Sequence, residues 1–309
     1  MANLVSTTIT GTLDSTSTIT GPGSGISAIN ASNVSSGTLS ADRLPTVPTT
    51  KGGTGLTSIG SADQVLKVNS GGTALEFGEA GGGVSDVNMV VVTSTSTYTP
   101  TSGTKFFKVY CVGGGGGGGG SQCLDTSSST GGGGGGAGGM AIRIYDATEM
   151  GATAAISIGS GGSGVNGETS QKGTDGGATT FNPVGTGTTL TGNGGIGGYS
   201  DKAGTYNVGG PGGDGGTASG GQTNARGSTG MNGKPNRDNN NNLVTAGGAG
   251  GSSLFGESGL NPHRTSDGVT NGNAGSNGSG GSGSCSLNNI STATGGNGGS
   301  GIVVIEEYA

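Results

Sequence analysis

The sequence is short of the residues from which most enzymes are built. It has no tryptophan, one histidine (His263), three cysteines, six tyrosines and five phenylalanines. Leu, Ile, Val and Phe number 13, 13, 19 and 5, which is 50 of 309 residues. That share is near the level of disordered chains, and it excludes the apolar cores that a conventional enzyme of this length buries. Charge is sparse as well. The 12 basic and 18 acidic residues give a net charge of −6, with no basic patch to neutralise phosphates, so no nucleic-acid partner is expected. A single histidine excludes a His-rich metal site, and no metal or cofactor is expected. The longest apolar runs, such as Met89-Val90-Val91-Val92, are far short of a membrane span, so no membrane insertion is expected. Met1-Ala2-Asn3-Leu4-Val5 has neither a charged leader region nor an apolar one, so synthesis in the cytoplasm without a signal peptide is expected. Three cysteines are an odd count and no disulfide framework. A Cys111–Cys123 bridge is left open.

Catalysis is not expected either. Glycoside hydrolysis needs two carboxylates a few ångströms apart, and Asp201, Asp214, Asp238, Glu257 and Asp267 form no recognisable pair. Gly209–Thr217 matches a calcium-binding nonapeptide only in part and in one copy, which reads as a structural turn. Gly233-Lys234 is followed by Pro235, where a phosphate-binding loop needs Ser or Thr.

What is abundant is glycine: 78 residues, 62 of them between Gly113 and Gly301. They come in runs, Gly113–Gly120 and Gly131–Gly139 being the longest, without the strict Gly-X-Y period of collagen. Such a composition is also that of a disordered linker. Ordered glycine is entropically costly, so an ordered chain of this kind must hydrogen-bond its backbone and have a reason for lacking Cβ atoms. Side-by-side polyproline-II (polyglycine-II) helices supply both. They make no internal hydrogen bonds, and their peptide groups point outward to neighbours. The segments between runs are then loops at the ends of rods: Ser121–Thr130, Val165–Lys172, Tyr199–Val208, Gln222–Val244, Ser252–Thr270 and Ser284–Thr294. A rigid scaffold presenting variable loops is the general design of a recognition module. The loop residues suited to contact are Tyr199, Lys202 and Tyr206, the amide-rich Asn236, Arg237 and Asn239, and Phe255, His263 and Arg264.

The pattern divides the chain into three. Residues 1–50 are Ser/Thr-rich, with isolated aliphatics every four to seven residues, from Leu4 to Leu44. One chain has nothing to bury them against and three wound together do, so this part reads as a thin intertwined β fibre and the molecule as a homotrimer. Residues 51–83 contain a hairpin: Gln64–Val68 and Ala74–Phe77 alternate around Asn69-Ser70-Gly71-Gly72. Residues 84–309 form a glycine-rich domain with a small antiparallel sheet. Its strands are expected at Asn88–Thr93, Lys105–Val112, Ala141–Tyr145, Ala155–Ile158 and Ile302–Ile305, with Phe107, Val109 and Cys111 on one face. The fold class is mostly β and irregular, with very little α-helix.

Several stretches resemble those of bacteriophage tail fibres. Asn33-Val34-Ser35-Ser36-Gly37-Thr38-Leu39-Ser40-Ala41-Asp42-Arg43-Leu44-Pro45 is similar to a segment recurrent in them. Lys51-Gly52-Gly53-Thr54-Gly55, Asp63-Gln64-Val65-Leu66 and Ala74-Leu75-Glu76-Phe77-Gly78 resemble the collar-like stretch that follows it. Val109-Tyr110-Cys111-Val112 before a glycine run, and Gly299-Ser300-Gly301-Ile302-Val303-Val304-Ile305 at the end, resemble the glycine-rich terminal domain of tip adhesins. The resemblance implies a virion fibre, attached to other tail proteins through its N-terminus. Its distal domain would bind a host cell-surface receptor, an outer-membrane protein or a polysaccharide, by loops on a polyglycine-II scaffold. The alternative is a purely structural virion fibre or decoration protein without a receptor.

Overall fold

A computed structural model describes residues 54–56, 58–79, 86–168, 171–203, 209–237, 240 and 242–309. The fibre expected over residues 1–50 lies outside them. The chain divides into two units, Met1–Gly82 and Gly83–Ala309. The first contains the expected hairpin, with strands Gln64–Val68 and Leu75–Glu79 in the register Gln64↔Glu79 to Val68↔Leu75. The Asn69 side chain ties the turn by accepting the N–H groups of Thr73 and Ala74. Ile59, Val65, Leu66 and Val68 stay exposed.

The second unit joins a side-chain core to a backbone core. The side-chain core is a sandwich of two five-stranded sheets. One holds, in order, Thr223–Ala225, Met140–Asp146, Phe106–Val112, Ile302–Tyr308 and Val87–Val92, so it links the beginning and end of the unit as the sequence implies. The other holds Ala218–Ser219, Leu190–Gly192, Thr179–Pro183, Ala154–Ser157 and Ser96–Tyr98. The Ala155–Ile158 strand therefore exists, shifted by one residue, but in this second sheet. Strand alternation sends Phe107, Val109 and Cys111 into the sandwich, where they meet Tyr98, Tyr145, Phe181, Leu190 and Ile305. Phe181 lies 5.8 Å from the Tyr145 ring and 6.3 Å from the Tyr98 ring. One buried carboxylate, Glu307, accepts from Asn88 Nδ2 (2.7 Å), Thr101 N (2.9 Å), Thr101 Oγ1 (2.6 Å) and the Tyr98 hydroxyl. Burial alone would raise its pKa; these donors outweigh it and hold the group below the ordinary glutamate value. A single helical turn, Ala147–Met150, follows Asp146 with a capping box closed by Glu149.

From the sandwich the chain runs on into the rods. A left-handed helix of three residues per turn directs successive N–H groups to three different neighbours. The hydrogen bonds have that period. Gly113, Gly116 and Gly119 donate to Gly139, Gly136 and Gly133, Gly114 and Gly117 to Gly177 and Thr174, and Gly115 and Gly118 to Gly299 and Gly296, all at 2.8–3.0 Å. Partner numbers fall as donor numbers rise, so these three neighbours are antiparallel. The carbonyls of the same run accept from Gly195 and Gly198, from Gly162, and from Gly281 and Ser284, at 2.8–3.0 Å. Where a pair of bonds fixes the direction, these neighbours run parallel. A Cβ on any glycine of Gly113–Gly120 would lie under 3.0 Å from a neighbouring backbone atom. Rods at the margin need glycine only where they face the bundle. Gly209–Gly216 carries Pro211 and Asp214 on its exposed side, and Gly227, Gly230 and Gly233 are the only glycines of their rod.

Candidate recognition surface

The rods give the domain two ends. At one, the sandwich carries the first described residue of the unit: Ala309 N–H reaches Asp86 O (3.3 Å), and Val87 pairs with Tyr308 at the side of the sheet away from the rods. At the other end the remaining segments fold into small sheets. Ser121–Cys123 pairs in parallel with Asp201–Ala203. Lys234–Arg237, Leu243–Ala246 and His263–Arg264 form a second sheet. Gly268–Thr270, Cys285–Leu287 and Ser129–Gly131 form a third. The eight residues of Gly113–Gly120 separate the ends by about 25 Å at 3.1 Å per residue.

The segments expected to be loops are thus only partly loops. Gln222–Val244 holds the Thr223–Ala225 strand at the sandwich end, the rod of Gly227–Gly233, and the Lys234–Arg237 strand. Gly259 lies in the bundle as well, donating to Gly280 O (3.0 Å). The open Cys111–Cys123 bridge is also ruled out. All three cysteines are free and buried, and Cys111 and Cys123 sit at opposite ends of a rod, where a disulfide needs Cα atoms within about 7 Å.

Most of the nominated residues reach the far end, and they differ in what they are free to do. Tyr199 is 45% exposed while its backbone is fixed, its N–H donating to Pro211 O (2.9 Å). Lys202 is exposed and reaches Glu168 O (2.8 Å) with Nζ. Asn236 and His263 are exposed on the two outer strands of one three-stranded sheet. Arg237 pairs with Leu243 in that sheet. Arg264 is committed to structure: its guanidinium donates to Ser266 O, Asp267 O, Val269 O and Thr270 Oγ1 at 2.8–3.1 Å and so clasps its own hairpin. Phe255 is not at this end. It packs edge-on against Tyr110 of the sandwich, ring centres 5.5 Å apart. Tyr206 and Asn239 lie outside the described residues.

Sequence reasoning missed two apolar side chains here, Leu124 (53% exposed) and Ile290 (62% exposed). Their segments are joined by Gln122 Nε2, which donates to Ile290 O (2.8 Å). The signal was available, because both are large aliphatics inside segments read as loops. Beneath them the end is packed with small and polar groups: Ser121, Cys123, Thr130, Ser284, Cys285 and Ser286 are buried. Asp201 is buried among them, its Oδ2 without a hydrogen-bond partner. Burial pushes its pKa up to about 7, against a smaller lowering by the Gly131 N–H. Among the described residues no group of three or more His, Cys, Asp or Glu side chains could hold a metal ion.

The far end therefore presents a mixture of exposed apolar, aromatic, amide and cationic side chains, Leu124, Ile290, Tyr199, Asn236 and Lys202. No curated protein matches the chain. A family model described as a glycine-rich domain matches residues 89–308, from the edge strand of the sandwich to the last strand, and the chain belongs to that glycine-rich domain family.

Proposed function

We propose that the protein is a bacteriophage tail-fibre component of the virion that binds a host cell-surface receptor, an outer-membrane protein or a polysaccharide, with the far end of its glycine-rich domain. One observation carries the reading. The small sheets and turns that bear Leu124, Tyr199, Lys202, Asn236 and His263 gather at the end of the rods away from where the chain enters the domain. The resemblance of residues 33–45 and 51–78 to tail-fibre segments supports the same reading, with virion tail proteins at the N-terminus and three chains per fibre. Three weak sites on one fibre bind far more tightly together than singly, so a shallow surface suffices.

The test is binding of the purified full chain to cells of a host that the virus infects, in competition with virion adsorption. Saturable, competing binding is expected. A Tyr199→Ala/Lys202→Ala variant should weaken it at least tenfold, and Ser160→Ala on the flank of the rods should leave it unchanged. Absence of binding by the folded chain would point to a purely structural fibre.

A further inference from the structure

The glycine-rich domain repeats one reactive pair. Asn166-Gly167, Asn193-Gly194, Asn232-Gly233, Asn271-Gly272, Asn277-Gly278 and Asn297-Gly298 are the Asn-Gly pairs of the chain. In such a pair the peptide nitrogen of the glycine can attack Cγ of the asparagine. Glycine has no side chain to shield that nitrogen, and nucleophile and electrophile belong to one chain. The new N–Cγ bond closes a succinimide ring. The side-chain nitrogen leaves as ammonia and takes the proton of the attacking N–H. Water then opens the ring at either carbonyl. One product is aspartate. The other is isoaspartate, which has one more methylene in the backbone and carries the former main-chain carboxyl as a side branch.

The reacting groups must be free to meet, and at three pairs the bundle holds both. Gly233, Gly272 and Gly298 donate their N–H groups to Gly210 O, Thr294 O and Gly162 O at 2.8–2.9 Å. The side-chain oxygens of Asn232, Asn271 and Asn297 accept from Gly212 N, Thr294 N and Gly164 N at 2.8–2.9 Å. A nitrogen whose proton is committed to a carbonyl is a poor nucleophile, and a tethered amide cannot turn toward it. Asn193 and Asn277 are half-buried, with Nδ2 tied to Thr217 Oγ1 (2.9 Å) and to Phe255 O (3.0 Å). Asn166 differs from all of these. It follows Val165, whose N–H donates to Gly118 O (3.2 Å), so it stands where its rod reaches the far end. Its side chain is exposed. Its oxygen accepts from Glu168 N of its own turn at 3.3 Å, a longer bond than those of the rod asparagines. Among the described residues the Gly167 N–H has no backbone acceptor.

We propose that Asn166-Gly167 is a self-modification site that converts to isoaspartate while the bundle protects the other pairs, and that the conversion frees Lys202 at the far end. Lys202 Nζ donates to Glu168 O (2.8 Å), two residues beyond Asn166. Gly167 is packed so closely that an added Cβ would lie 2.1 Å from the Ser121 carbonyl carbon. A backbone lengthened by one methylene cannot keep that path, so Glu168 moves and Lys202 loses its acceptor. The chemistry is independent of what the far end binds. Its effect on binding rests on the reading of Lys202 as a contact residue: the protein would lose affinity as it ages.

The experiment incubates the full chain in mildly alkaline buffer, folded and in urea. Peptide mapping by mass spectrometry, with an isoaspartyl methyltransferase to tell isoaspartate from aspartate, follows all of the pairs together. Brief acetylation of fresh and aged folded samples reports the reactivity of Lys202, with Asn166→Gln aged alongside. In the folded protein Asn166 should convert at least tenfold faster than any other pair, and in urea all pairs should convert at similar rates. Lys202 should acetylate faster in the aged protein than in the fresh one, and the Asn166→Gln variant should show no such change. Equal rates at all pairs in the folded protein overturn the site. The same tenfold preference in urea also overturns it, since local sequence and not the fold would then select Asn166. Conversion at Asn166 with unchanged Lys202 reactivity overturns the release of Lys202. None of these readouts uses a receptor, so they stand or fall separately from the binding reading.

Discussion

The sandwich and the rods are adjacent parts of one domain, stabilised by opposite means. In the sandwich, Phe107, Tyr145, Phe181 and Ile305 bury side chains against one another, and stability scales with apolar area removed from water. In the rods few side chains are buried, and those are small, such as Ala137, Ser279 and Ser282. Cohesion comes from peptide groups, each N–H of Gly113–Gly119 having a carbonyl on a neighbouring rod. A side-chain core tolerates swaps of similar volume. A backbone core has no volume to swap, since the smallest addition, one methyl group, meets a peptide. The two therefore differ most in what they forbid.

The largest effect expected from that difference is at Gly117. Its N–H donates to Thr174 O (3.0 Å), its carbonyl accepts from Gly198 (2.9 Å), and an added Cβ would meet Ser163 O. Replacing glycine by alanine usually stabilises a compatible site by about 0.4–1 kcal/mol. Gly117→Ala should instead abolish soluble, folded protein, scored by expression and circular dichroism. A folded Gly117→Ala protein of normal stability would break the comparison.

Phe181→Ala in the sandwich comes next. The cost should be about 3–5 kcal/mol, as for other buried aromatics, with the fold retained, and urea titration measures it.

Two buried carboxylates sharpen the contrast between the ends. Glu307 has its pKa lowered by its donors despite burial, so its contribution is present above the unfolded value of about 4.5 and is lost as pH falls through the folded one. Glu307→Gln should cost about 1.5–3 kcal/mol at pH 7 and nothing once the carboxyl is protonated in acid. Asp201 has the opposite sign. With its pKa raised from 3.8 to about 7, its contribution is full below the unfolded value and declines as pH rises toward 7. Asp201→Asn should stabilise the protein at pH 8 by on the order of 2 kcal/mol and leave it unchanged at pH 3. Melting temperatures of both variants across pH 3–8 give the two slopes, and slopes of the same sign would contradict the account.

The smallest effect is expected at Ser160, an exposed position on a marginal rod. Ser160→Ala should stay within about 0.5 kcal/mol. It shares its chain environment with Gly117 and differs only in facing solvent.

Much of this division was legible in the sequence. Phe106–Val112 alternates cleanly, and two long glycine runs, Gly113–Gly120 and Gly131–Gly139 (broken only by Ala137), announce rods packed on every side. The marginal rods were not legible as such. With glycine needed only at every third position, Gly227, Gly230 and Gly233 stand among Ser, Thr, Met and Asn, and the segment passes for a loop. The second sheet was hidden because Thr179–Pro183 and Leu190–Gly192 are short and rich in Thr and Gly, so the burial of Phe181 and Leu190 depends on partners far along the chain. Asp146 and Glu149 did signal the single helical turn, too short for its period to show. At the far end, sequence could nominate exposed chemistry such as Tyr199 and Lys202. It could not foresee that Arg264 would close its own hairpin, or that Phe255 would turn back to the sandwich, since both depend on which rod end each segment leaves.

The central claim is that a run of bare glycines is as ordered as an apolar core. Hydrogen exchange on the intact protein tests it directly. The amides of Gly113–Gly119 should fall in the same slow class as those of Phe107 and Val109. Exchange within seconds, at the rate of solvated polyglycine, would contradict it.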